Sequence, residues 1–231
     1  MAVRRDYGSF AKASKRLLAP QIESLDYHQG QGGFVRDKGG WVEGFFLQQS
    51  QWGSGDFCVN IGIDVPALDE YWSLDRSALG LLIAWRLSDS AREDGAEHWY
   101  HAKNKEQLEK SIGRVAVALT KADSWFHQFQ TLSDVVESYR VREGLPNAPS
   151  GELNSVRVLN YGLLSLVDNS KDEAARWLHF AKELESRPQY WNPESRTFTR
   201  EQLPGSKLMK PTDDDKLRVR VIDSVLARIE S

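Results

Sequence analysis

The chain has 231 residues and 26.3 kDa, 40% of them hydrophobic and 27% charged, which excludes a disordered chain or a fibrous repeat and predicts a folded, soluble protein of one ordinary domain or a main domain with an appendage. Thirty basic residues against thirty-three acidic ones give a formal charge of -3 and a pI near 6.0, so no whole-molecule attraction brings it to nucleic acid or anionic lipid, and neither is expected as a partner. A single cysteine, Cys58, excludes an internal disulfide and a cysteine-rich zinc site; with no apolar leader in residues 1–10 and no run of about 20 apolar residues, the expected compartment is the cytoplasm.

In residues 9–26, Phe10, Ala13, Leu17, Leu18, Ile22 and Leu25 recur at steps of three and four, which predicts a helix with one apolar face, kinked or restarted at Pro20. The glycine-rich segment 29–40 predicts turns around a short strand at 33–36. Phe57, Val59, Ile61, Ile63 and Val65 then occupy every second position, the pattern of a half-buried strand. The strand-like run 41–52 precedes it, and 53–56 reads as the hairpin turn joining the two. Further strands are expected at 81–87 and 97–102. The fold class is therefore α+β, an antiparallel sheet of about four to five strands with packed helices.

After Lys103 the period changes to 3.6: Leu108, Ile112, Val115 and Leu119 predict a helix to about residue 122, with Asn104 and Gln107 spaced as a capping box. A short helix follows at 132–142. The breaker at 144–151, rich in glycine and proline, divides a sheet domain (1–145) from a helical extension (151–231), expected to pack on it as one unit. The extension reads as helices at 152–167, 171–186 and 213–229, with a loop at 188–211. Ser170 and Glu173 have capping-box spacing, and Asp213, Asp214 and Asp215 suit the positive end of a helix dipole. Ala174, Leu178 and Ala181 alternate small and large residues on one face, as a close αα-hairpin resembling one tetratricopeptide-like unit requires.

Chemistry is sparse. His98 and His101, three apart on a strand, point to opposite faces and make a poor metal pair, and His28, His127 and His179 read as surface or hydrogen-bonded histidines. No nucleophile elbow, Walker loop or dinucleotide fingerprint occurs, and Cys58 lies on a strand without a helix start or cation beside it. No metal, cofactor or catalytic residue is assigned. The candidate binding residues are polar ones on the first hairpin. Gln48, Ser50 and Trp52 share one face of their strand, and Asn60 and Asp64 share the polar face of the next; whether the two faces coincide depends on register. Arg86 joins them as a cation between Trp85 and Leu87. Eight tryptophans add aromatic surface suited to cores and interfaces alike, with Trp85 and Trp125 read as core and Trp72 and Trp191 placed in loops.

The order of these features resembles the bacterial domain-of-unknown-function 4304 family. An amphipathic first helix precedes Gln48-Gln49-Ser50-Gln51-Trp52-Gly53 and Phe57-Cys58-Val59-Asn60-Ile61-Gly62, similar to that family's Q-x-S-x-W-G and F-x-V-N-x-G pattern. Arg86-Leu87, Trp99-Tyr100 and Ser124-Trp125-Phe126 fit later elements, so the resemblance covers residues 9–142 and the tail more loosely. It departs at Leu25-Asp26-Tyr27, where the family has Gly-Phe. The resemblance implies a bacterial cytoplasmic α+β domain with no established catalytic residues. Small size, mild acidity, abundant tryptophan and no catalytic motif favour a non-enzymatic protein-binding module, of the kind that neutralises a toxin by occupying its active site. Two alternatives are an enzyme whose site is assembled around Asn60, Asp64, Arg86 and His98, and a helical adaptor using the αα-hairpin.

Overall fold

The computed structural model describes residues 8–30, 33–51, 55–72, 81–87, 99–145, 154–194, 196–199 and 202–231. The chain divides into two compact units, Met1–Pro66 with Asp75–Thr131, and Ala67–Leu74 with Leu132–Ser231. The architecture is α+β, as the sequence patterns predict.

In the first unit, helix α1 (Phe10–Leu18) leads to strands β1 (His28–Gln29), β2 (Phe34–Asp37), β3 (Val42–Gln49), β4 (Asp56–Asp64), β5 (Ile83–Arg86) and β6 (Tyr100–His101), then helix α3 (Lys105–Phe126). Helix α2 (Asp69–Trp72) interrupts this order but belongs to the second unit. All strand pairs are antiparallel, in the order β1-β2-β3-β4-β5, with β6 also pairing β4. The described sheet thus has six strands, two of them only two residues long. α1 is shorter than the spacing predicts: Pro20 enters a 3-10 turn, Ala19–Gln21, and a second turn, Glu23–Leu25, ends with Asp26 in the left-handed region at φ 58°. The apolar stripe continues regardless, because Leu18 and Ile22 are both fully buried.

β4 departs from the half-buried expectation. It is the middle strand, with β3 on one edge and β5 and β6 on the other, and Cys58, Gly62 and Asp64 are buried along with Phe57, Val59, Ile61 and Ile63. Gly62 is required by close approach, since a Cβ there would lie 1.9 Å from the Ile83 carbonyl oxygen. The face of Phe57 and Ile61 carries the core. Phe10 of α1 packs on Phe57 at 5.1 Å between ring centroids, Tyr100 stacks on it at 5.4 Å, and Phe45 lies between Tyr27 and Phe34. Trp85 and Trp125 meet edge to face, half-buried, with Trp125 also on Phe126 and Phe129.

A buried ion network lies on this side of the sheet. Arg36 and Glu43 are cross-strand partners, and Glu43 is fully buried. Arg36 donates through Nε to Glu43 (2.7 Å), through Nη2 to Asp123 on α3 (2.7 Å), and through Nη1 to the Leu25 carbonyl (3.0 Å). Its guanidinium also covers the Tyr27 ring at 4.8 Å. One side chain therefore joins the sheet, the end of α3 and the turn after α1. Burial pushes the Tyr27 phenol well above its ordinary value, against the opposing pull of Arg36. At the start of α3 the Asn104 side chain accepts from the Gln107 amide (2.9 Å), but Gln107 accepts from Lys103 rather than from Asn104, and the helix continues to Phe126.

The second unit contains α2, α4 (Leu132–Arg142), α5 (Ser155–Val167), α6 (Lys171–Ser186), a small sheet and α7 (Asp213–Ile229). The sheet corrects the expected loop at 188–211: β7 (Tyr190–Asn192) lies between β8 (Thr197–Thr199) and β9 (Lys207–Leu208), so Trp191 is on a strand. Strands of two or three residues carry too little alternation to stand out in a sequence. α5 and α6 form the close hairpin, with Ala174, Leu178 and Ala181 fully buried and Gly162 leaving room for Leu178. Ser170 makes no side-chain cap bond. Glu173 instead accepts from Trp177 Nε1 (2.6 Å) and Arg176 (2.7 Å), a stronger use of its charge than a reach back to the helix start. Thr212 and Asp215 form a complete capping box at α7, and Arg218 binds both Asp215 and the buried Glu185 of α6. No helix of the described residues is long and apolar enough to cross a membrane.

Candidate functional site

The β3–β4 register decides which polar residues meet. Pairing runs from Val42 with Asp64 to Gln49 with Phe57, so Gln48 stands opposite Cys58 and Phe46 opposite Asn60. Asn60 in turn stands opposite Arg86 on β5. Paired residues show their side chains on the same face, and residues two apart along a strand share that face. Gln48, Phe46, Cys58, Asn60 and Arg86 therefore lie together, opposite the side packed on Phe57 and Ile61.

The amides of Gln48 and Asn60 touch. Asn60 Nδ2 donates to Gln48 Oε1 at 2.9 Å, and the buried Cys58 Sγ lies 3.8 Å from the same oxygen. This contact uses one donor of Asn60 and one acceptor of Gln48. Gln48 Nε2 and Asn60 Oδ1 make no hydrogen bond among the described residues, which leaves one amide donor and one amide acceptor on this face. Gln48 is exposed, and Phe46, Asn60 and Arg86 are half-buried. The Arg86 guanidinium covers the Trp99 ring at 5.1 Å from its centroid, ahead of β6.

Not every candidate joins this cluster. Ser50 is just beyond β3, its amide donating to the Asp56 carbonyl at 2.8 Å, which extends the same register by one step toward the hairpin turn. Trp52 lies outside the described residues. Asp64 shares the face of Asn60 but is four residues further along, about 13 Å at strand rise. It is 6% exposed and its carboxylate accepts from the Val65 amide at 2.9 Å, so it serves the strand end. His98 is likewise outside the described residues.

Sequence reasoning missed an element of the same face. Asp56 pairs with His101 across β4 and β6, and their side chains bond, His101 Nδ1 to Asp56 Oδ1 at 2.8 Å. The histidine is exposed and its backbone carbonyl accepts from Ser111 of α3 at 2.7 Å. The alternation of Asp56, Cys58 and Asn60 places Asp56 on this face, but its partner is 45 residues away and only the fold joins them. The other described histidines, His28, His127 and His179, are exposed, with His127 3.6 Å from Asp123 and His179 2.7 Å from Glu230. Among the described residues, no three His, Cys, Asp or Glu side chains gather where they could hold a metal ion.

The face carries neutral amides, a phenylalanine ring and a guanidinium over an indole, with an imidazole bonded to Asp56 at one end. No family model, curated protein or solved structure matches the chain.

Proposed function

We propose that this protein is a non-enzymatic protein-binding module and that it binds through the Gln48, Asn60, Phe46 and Arg86 face of the sheet. One observation carries the reading: the 2.9 Å bond from Asn60 Nδ2 to Gln48 Oε1 fixes the two amides against each other and leaves Gln48 Nε2 as a donor and Asn60 Oδ1 as an acceptor for a peptide group of a partner. Phe46 supplies adjoining apolar surface, and the Arg86–Trp99 pair belongs to the residue types that dominate protein interfaces. The partner we assign is a toxin whose active site this face covers, in the cytoplasm of a bacterium. The order of Gln48, Ser50, Trp52, Asn60 and Gly62 supports placing the chain beside the domain-of-unknown-function 4304 family.

The test is capture of a partner from the host with tagged protein, followed by reconstitution of the purified pair. Wild type should bind stoichiometrically and suppress any activity of the partner. Phe46→Glu and Gln48→Arg, with unchanged circular dichroism, should abolish both. Retention of binding by both variants would remove the face from the interface.

A second reading rests on the Asp56–His101 pair. A carboxylate bonded to Nδ1 orients an imidazole whose side chain is 62% exposed, as a general base is oriented. An activity lost in His101→Gln, in protein free of any partner, would favour this enzyme reading.

A further inference from the structure

A cleft in the second unit combines an apolar floor with two arginines on its rim. It runs along α7 opposite α2, with a volume of about 290 Å³, near the lower end of small-molecule sites. Two neighbouring ridges of α7 build it, each advancing by four residues. Leu217, Val221 and Val225 form an apolar floor, the two valines buried. Arg220, Ser224 and Arg228 form the polar rim. From α2, Tyr71 closes the opposite wall and Glu70 stands at its edge.

The two rim arginines are exposed, and neither makes a side-chain hydrogen bond or ion pair among the described residues, whereas several neighbouring charges of α7 and α6 are paired. Lys216 binds Asp213, Arg218 binds Glu185 and Asp215, and Lys182 of α6 binds Asp223. Arg220 and Arg228 are eight residues apart, about 12 Å along the axis, with the Ser224 hydroxyl between them. Positive charge without a partner among the described residues therefore flanks an apolar floor. Glu70 disfavours an anionic group on the α2 side, which directs the ligand's charge toward α7.

We propose that this cleft binds a soluble amphiphilic anion, an elongated apolar body carrying a carboxylate or phosphate. The body lies on Leu217, Val221 and Val225 against the Tyr71 ring, and its anionic head is taken by Arg220 or Arg228 through charge-assisted hydrogen bonds. A dianion with charges at both ends engages both arginines at once.

The probes are decanoate below its micelle concentration, the ten-carbon dicarboxylate sebacate, and decanol as the uncharged control. Binding is followed by calorimetry and by amide chemical shifts at Tyr71 and Ser224. Decanoate should saturate a single site, sebacate should bind at least as tightly, and decanol should bind about tenfold more weakly or worse. The double variant Arg220→Gln/Arg228→Gln should lose about tenfold or more in decanoate affinity with unchanged thermal unfolding, while Arg16→Gln in the first unit leaves it unaltered. Equal binding of decanoate by the double variant, equal affinity for decanol, or shifts located away from α7 would overturn the proposal. So would binding to phosphatidylglycerol vesicles without any binding of monomeric decanoate, which would identify a membrane-facing surface instead of a closed site.

Discussion

Removing Arg36 tests the ion network at its centre. Arg36→Met keeps much of the aliphatic volume but deletes the bonds to Glu43, Asp123 and the Leu25 carbonyl, and the cover over Tyr27. Glu43 is fully buried, so the variant leaves a carboxylate in the interior whose nearest other cation, Lys38, is 3.9 Å away. Breaking a buried pair from one side costs about 3–5 kcal/mol, mostly through the charge left behind rather than through the attraction lost. Arg36→Met should therefore lower unfolding free energy by about 3–5 kcal/mol in urea titration. The double variant Arg36→Met/Glu43→Leu removes both charges and should recover most of that loss, because well-packed apolar replacements of a buried pair are commonly neutral or stabilising. Asp123 is partly exposed and can be solvated in the double variant. A loss below about 1 kcal/mol for the single variant, or a double variant no better than it, would refute the claim that Glu43 depends on Arg36 for its burial.

Alkaline titration should weaken folding through Tyr27 and Tyr139. Burial raises both phenols, Tyr139 to about 12, so the folded state retains protons that the unfolded chain releases above pH 10. Their contribution is fully present below pH 10 and is lost as pH rises toward the folded values, at up to about 1.4 kcal/mol per pH unit for each tyrosine. Tyr27→Phe and Tyr139→Phe should each flatten this limb in denaturation measured from pH 9 to 12. Gly62→Ala should destabilise the first unit by about 1–3 kcal/mol, since the new Cβ meets the Ile83 carbonyl; a stable variant that has lost only partner binding would show the motif glycine to be functional instead. Glu173→Ala leaves the Trp177 indole N–H without its acceptor and should cost about 1–3 kcal/mol, with a shift in tryptophan emission; an unchanged midpoint would mean that the bond contributes nothing.

Much of the fold was legible because its signals are local. The bounds of α4, α6 and α7 agree with the expected 132–142, 171–186 and 213–229, where periodicity and end residues such as Thr212 and Asp215 act within a few positions. The antiparallel pairing of β3 and β4 was legible for the same reason, since alternation is short-range, while residues 52–54 of the expected turn lie outside the described residues. Pro20, by contrast, allowed either a kink or a restart, and packing of Leu18 and Ile22 against the core selected the 3-10 turns.

The candidate face was half legible. Alternation alone places Gln48 with Ser50 and Asn60 with Asp64, but a shift of one residue would have sent the two sets to opposite faces. Tertiary register decided that Gln48 meets Asn60, that Arg86 joins them, and that Asp64 stays apart. Asp56 with His101, and Arg36 with Asp123, lie 45 and 87 residues apart, so no local pattern could pair them. By itself the sequence determined the α+β class, the main helices and the central hairpin, because capping, periodicity and turn geometry are properties of neighbouring residues. Only the tertiary structure decided β4's two-sided burial, the small strands between α6 and α7, and which polar groups meet, because each depends on partners distant along the chain.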